Sequence, residues 1–143
     1  MPRVKLVEQE RYEFRCMIKV QPRDLNYGGH LANDSLVSLV GTARARMFFD
    51  LGLSELDLGD GRTGVLMSDL VVNYRSEAFL FDEILVETHV GEFTRAGFRL
   101  FHRMTKGNIL IGLVETGLAA FDYHSGKVAP VPRDFAALVT GKK

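Results

Sequence analysis

The sequence carries one cysteine, Cys16, among 143 residues. That excludes an internal disulfide, makes a zinc-finger reading untenable and fits a reducing compartment. The alternation around Cys16 suggests a small buried side chain, not a nucleophile. Charge of one sign is also missing, since 18 basic residues offset 18 acidic ones. Nothing in that balance calls for nucleic acid or an anionic membrane surface. No apolar run approaches the roughly 20 residues of a membrane span. The opening Met1-Pro2-Arg3-Val4-Lys5 leads to Glu8, Glu10 and Arg11 rather than to the apolar core of a secretion signal. The cytoplasm is therefore the expected location. The length suits one domain, residues 1–143, with a sizeable core and no linker or internal repeat.

Hydrophobic periodicity then orders the chain. From Tyr12 to Val20 the residues Tyr12, Phe14, Cys16, Ile18 and Val20 fall on one side of a strand, Met17 breaking the alternation. From about Asp34 to Leu51 the period becomes helical, with Leu36, Leu39, Val40, Ala43, Met47 and Leu51 forming an apolar stripe. Asn33 or Asp34 is placed to cap this helix and Gly52 to end it. The small residues Ser38, Gly41, Ala43 and Ala45 predict close packing of the helix on a sheet. Ser54–Leu58 reads as a short helical turn. Strands follow over Val65–Tyr74, from Phe81-Asp82 to Val90, over Phe98–Met104, and over Ile109–Tyr123, where Gly112 and Gly117 predict bulges or close packing. A short helix is expected over Arg133–Val139. The order strand, long helix, four strands implies an α+β layer structure with an antiparallel sheet. The last strand is apolar on both faces, so a second copy of the chain is expected to cover one face or an edge.

One stretch gathers most of the chemistry: Asp24-Leu25-Asn26-Tyr27-Gly28-Gly29-His30-Leu31-Ala32-Asn33-Asp34. Two glycines allow a backbone to approach a ligand, and a helix start offers unpaired N–H groups that polarise a carbonyl. Such a start is suited to chemistry at a carbonyl or to holding an anion. His30, Asp34 and Asp24 are the nearby candidates for activating water, and Asn26 can orient water or the substrate oxygen. The plainer reading of each is structural. Asp34 caps a helix, His30 fixes a loop, and Asn26 and Asp24 are turn residues. Arg99, Arg103 and Lys106 are possible phosphate contacts or simply a solvated face. His89 and His102 stand isolated on strands, His124 lies in a polar turn, and no metal or redox cofactor is implied.

The stretch resembles the signature of the hotdog-fold acyl-CoA thioesterases related to 4-hydroxybenzoyl-CoA thioesterase. Their D-x-D-x-x-G-H-x-x-N element appears as Asp24-x-Asn26-x-x-Gly29-His30-x-x-Asn33, and their E-A-R-like helix centre as Thr42-Ala43-Arg44. Tyr74-Arg75-Ser76-Glu77-Ala78 and Asp82-Glu83-Ile84-Leu85-Val86 match the strand, turn and strand after the helix, and the likeness runs from about Tyr12 to Tyr123. Asn26 and Thr42 replace the two carboxylates that act in different branches of the family. The D-x-N…H order is similar instead to plant acyl-ACP thioesterases, where Asp, Asn and His are implicated. The resemblance implies one long central helix wrapped by a five-stranded antiparallel sheet, a homodimer or homotetramer, and hydrolysis of acyl-CoA between subunits. It implies Asn26, His30, Asp34 and Asp24 as catalytic candidates. Tyr27, Gly28, Gly29, Asn33, Thr42 and, from a partner subunit, Ser68 are the substrate-binding candidates. The alternatives are a hotdog hydratase or dehydratase, whose paired acid and base are not found here, and a non-catalytic acyl-CoA-binding protein.

Overall fold

Strand alternation and one amphipathic helix account for the architecture of the computed structural model, which describes residues 1–141. The elements are β1 (Phe14–Lys19), a 3-10 turn at Pro22–Asp24, α1 (Asn33–Asp50), β2 (Thr63–Tyr74), β3 (Glu83–Thr94), β4 (Gly97–Lys106), β5 (Ile109–Asp122), β6 (Lys127–Val128) and α2 (Arg133–Thr140). The strands form one antiparallel sheet in the order β1-β3-β4-β5-β2, with the short β6 added to β5. This is the hotdog arrangement, with β6 as a sixth strand beyond the five expected. Met17 turns out to keep the alternation, facing solvent from the edge strand β1.

Helix α1 buries Leu36, Leu39, Val40, Ala43, Met47 and Phe48 against the sheet. The residue before its first turn is Ala32, in extended conformation, and no side chain caps it. Asn33 and Asp34 therefore lie inside the helix, not at its cap. The far end closes as foreseen: Gly52 adopts φ +75°, and the N–H groups of Gly52 and Leu53 reach the Phe49 and Phe48 carbonyls at 3.0 and 2.8 Å. That is the Schellman pattern, in which a left-handed glycine lets the last carbonyls find donors. Of the small helix residues only Ala43 faces the sheet, whereas Ser38 and Ala45 are exposed. Close approach is supplied from the sheet side, where a side chain on Gly112 would press on the Asn73 carbonyl and Leu36. Bulges at Ser68 in β2 and beside Gly112 in β5 re-aim those strands. Ser54–Leu58 is not helical; Ser54 and Asp57 form a tight β-bridge, which sits on Gly64 at the start of β2.

The outer face of the sheet is covered in part by the chain itself. Residues before β1 lie across it, Leu6 is buried, and the buried Asn73 side chain bonds both the Leu6 N–H (2.7 Å) and the Val4 carbonyl (2.9 Å). A second copy is thus not needed over that area. The edge strand β2 is different, because its residues 66–70 are all exposed.

Between the apolar clusters at the two ends of α1 the sheet carries a polar seam of Thr88, His102 and Thr116, all buried. His102 Nδ1 meets Thr88 Oγ1 at 2.9 Å, while His102 Nε2 and Thr116 Oγ1 find no partner among the described residues. Burial, helped by the nearby Arg44 charge, pushes the His102 pKa down to about 3. The imidazole is neutral in the fold and titrates near 6.5 once exposed. Between those two values the unfolded chain binds the extra proton, so stability must fall as pH is lowered from about 6.5 toward 3. Denaturant titrations should show this loss, with a slope of at most about 1.4 kcal/mol per pH unit from this group. His102→Gln should flatten it; an unchanged slope in the variant would assign the loss to other groups.

Candidate active site

The loop between β1 and α1 is held by its own polar side chains. The buried Asp24 accepts the Gln21 N–H on Oδ2 (2.7 Å), and its carbonyl accepts the Ala32 N–H (2.9 Å). Asn26 makes the next closure. Its Oδ1 accepts the N–H groups of Gly28 (2.9 Å) and His30 (3.3 Å), its carbonyl accepts the Gly29 N–H, and its N–H donates to the His30 carbonyl. Gly29 sits at φ +78°, a conformation side chains disfavour. The loop is then stitched to the β2–β3 connection: His30 bridges Phe79, and the Leu31 N–H donates to the Ala78 carbonyl at 2.8 Å.

That stitching brings His30 to Glu77. Nδ1 lies 3.0 Å from Glu77 Oε1, and the ring meets Phe79 edge-on with centroids 5.5 Å apart. The other ring nitrogen, Nε2, lies over Gly28, where a Cβ would stand 3.5 Å from it. His30 and Glu77 line a cleft of about 230 Å³ at the start of α1. Asn26, Asn33, Tyr74 and Arg75 complete its polar rim, and Leu31, Leu36, Ala78 and Ile111 its apolar wall. Tyr74 ties the two elements of the mouth together by donating its hydroxyl to the Asn33 carbonyl (3.2 Å). The first intrahelical bond runs from the Leu36 N–H to the Ala32 carbonyl. The N–H groups of Asn33, Asp34 and Ser35 precede it, as at any helix start.

Asn26, His30 and Asn33 are therefore gathered at one cleft, with Gly28 and Gly29 in the adjoining turn and Asp24 bracing it. Asp34 is exposed on the second residue of α1 and does not line the cleft. Tyr27 projects fully into solvent. Thr42 lies farther along α1, its hydroxyl donated to the Ser38 carbonyl (3.2 Å). Ser68 sits in the β2 bulge, donating to Asp69 (3.1 Å), beside a separate groove. The amide groups of Gly28 and Gly29 are already engaged by Asn26, so the donors left for a ligand oxygen are those of the first helical turn. The three basic residues on β4 are all taken by carboxylates. Arg99 lies between Asp69 and Glu115, Arg103 between Glu8 and Glu87, and Lys106 on Asp82. The hydrogen bonds that Arg99 and Lys106 donate, and secondarily their charges, hold the Asp69 and Asp82 carboxyls below their usual range.

Glu77 is the residue that pattern reading passed over. Its segment was legible as a turn after a strand, but its pairing with His30 depends on two loops meeting across the fold.

The sequence model of the thioesterase-like superfamily matches residues 20–139. No curated protein matches the chain. Among solved structures, a 1,4-dihydroxy-2-naphthoyl-CoA thioesterase from Synechocystis superposes with a TM-score of 0.79 at 15% identity, covering 89% of this chain and 95% of that one. A DHNA-CoA thioesterase from Staphylococcus aureus gives 0.77 at 18% identity, with 90% and 91% covered. A hypothetical protein from Thermus thermophilus gives 0.81 at 16% identity, with 92% and 100% covered. At these identities the superpositions speak for the fold. Among the described residues no helix is long and apolar enough to cross a membrane.

Proposed function

The chain belongs to the thioesterase-like superfamily, and on that premise we propose that it hydrolyses acyl-CoA thioesters in the cleft at the start of α1. The observation that carries this reading is the His30–Glu77 pair beside the first turn of the helix. A carboxylate accepting the Nδ1–H of a neutral imidazole leaves Nε2 with its lone pair free, which is the form a general base needs. His30 then takes a proton from water as the water oxygen adds to the thioester carbon. The carbonyl oxygen, gaining negative charge, is received at the first turn of α1, beginning with the N–H of Asn33, where the helix dipole favours an anion. As the C–S bond breaks, the thiolate leaves with the electron pair and recovers the proton from His30. A thiol with a pKa of about 8.5 requires no stronger acid. Asn26 holds the loop in which His30 sits, so its amide is a positioning group. Asp34, exposed and outside the cleft, is not the base in this reading.

We also propose that the active assembly contains a second copy lying along β2. That strand ends the sheet, and Leu66, Met67 and Leu70 on it are 42%, 48% and 37% exposed. An uncovered apolar edge of this kind favours strand pairing with an identical chain.

Thiol release from a panel of aliphatic and aromatic acyl-CoAs is the direct test; the aromatic members are chosen because two structural relatives are DHNA-CoA thioesterases. His30→Ala should lower kcat by about 10² or more, the usual contribution of a positioned base. Glu77→Gln should cost less, roughly tenfold, because it leaves the imidazole in place but weakens its orientation. Equal rates in wild type and His30→Ala would sink the assignment, and an Asp34→Asn loss as large as that of His30→Ala would return the base to Asp34. Binding without thiol release across the whole panel would indicate a non-catalytic acyl-CoA-binding protein. Sedimentation velocity should find a dimer or tetramer, and Leu70→Glu should dissociate it; a wild-type monomer would refute the β2 interface.

A further inference from the structure

The cleft holds a cation whose charge nothing among the described residues offsets. Arg75 lines it on the β2–β3 connection, next to Ser76 and across from Asn33. Its backbone is anchored, since the N–H groups of Arg75 and Ser76 both donate to the Ile111 carbonyl, at 2.9 and 3.2 Å. Its guanidinium, in contrast, has no carboxylate, carbonyl or aromatic partner among the described residues. The neighbouring carboxylate, Glu77, is turned to His30. Arg44, Arg46, Arg62, Arg99 and Arg103 each hold a carboxylate, while Arg3, Arg15, Arg23, Arg95 and Arg133 share with Arg75 the lack of one among the described residues; what sets Arg75 apart is its place in the lining of the cleft. An arginine fork fits two oxygens of a phosphate or carboxylate at once, and its charge is not lost at any working pH. The two backbone amides beside it are already spent on Ile111, so from the β2–β3 connection an anion would be held by the Arg75 side chain rather than by these amides.

We propose that Arg75 is the anion-binding residue of the cleft and that it selects thioesters carrying an oxyanion, on the carrier or on the acyl group. This rests on reading the cleft as the thioester site. The chemistry is shared by two sources, a phosphate of the carrier and a carboxylate on the acyl group. Neither needs a catalytic role for Arg75, so its loss acts on binding of substrate and not on the chemical step.

Non-hydrolysable thioethers separate these sources without relying on turnover. The probes are S-alkyl-CoA, the phosphate-free S-alkyl-N-acetylcysteamine, and S-carboxyalkyl-N-acetylcysteamine, each titrated calorimetrically into wild type, Arg75→Ala and Arg75→Lys. If a carrier phosphate is the partner, Arg75→Ala should weaken S-alkyl-CoA binding about tenfold or more, leave the uncharged probe unaffected, and show a gap that narrows with added salt. If the acyl carboxylate is the partner, the loss falls on the carboxyalkyl probe instead. Arg75→Lys should recover part of the affinity in either case, since charge is kept and the fork is lost. Equal affinities of wild type and Arg75→Ala for all three probes, or an equal loss on the uncharged one, overturns the proposal. A protein that hydrolyses no thioester yet shows the charge-selective loss would contradict the hydrolytic reading alone.

Discussion

The cleft exists because two loops are joined by backbone contacts, the His30–Phe79 bridge and the Leu31 N–H on the Ala78 carbonyl. Without them the β1–α1 loop would be a polar excursion and Glu77 a surface carboxylate. With them, an imidazole, a carboxylate and the start of a helix occupy one small volume. Asn26 makes the joint rigid on its loop side by closing the turn with both backbone groups and its side-chain oxygen. Each of these bonds is worth only about 1 kcal/mol net, but they act on the same few residues and restrict the ring to one orientation.

The sheet and helix behind the loop are built for rigidity, at some cost in polar burial. The cluster beside the helix start supplies much of the apolar wall of the cleft through Leu36, Ala78 and Ile111. The cluster at the other end is closed by α2, whose Phe135 packs on Phe48 and Phe98 with ring centroids 6.1 and 5.0 Å apart. Thr88, His102 and Thr116 interrupt the apolar layer between them. Burying unpartnered polar atoms is costly, so this seam is the feature of the core that local packing does not explain. On the outer face, cross-strand ion pairs organise the basic residues of β4, and Gly117 leaves the room that Asp69 and Arg99 occupy.

Much of this was legible in the chain. The alternation of Phe14, Cys16 and Ile18 and the helical stripe from Leu36 to Met47 set the element order, and Gly52 marked the helix end. Other features depended on geometry that periodicity does not encode. Asn33 is a good capping residue by type, yet Ala32 takes the capping position because its N–H is claimed by the Asp24 carbonyl. Ser54–Leu58 has a helical composition, but its two ends pair with each other. Arg99 and Arg103 alternate as a solvated face would, and only the register shows Glu115 and Glu87 within reach of them. At the site, a glycine-histidine motif before a helix located His30 and Asn26. Glu77 stayed hidden, because its place beside His30 comes from a contact between distant loops.

The central claim is that Glu77 holds the His30 proton on Nδ1 and leaves Nε2 free over the Gly28 turn. Nitrogen-15 NMR of the His30 ring, correlating both nitrogens with the carbon-bound ring protons at neutral pH, reads this tautomer directly. The account predicts a proton on Nδ1 and a bare Nε2 in the wild type, with that preference lost in Glu77→Ala. A wild-type ring carrying its proton on Nε2 would contradict it.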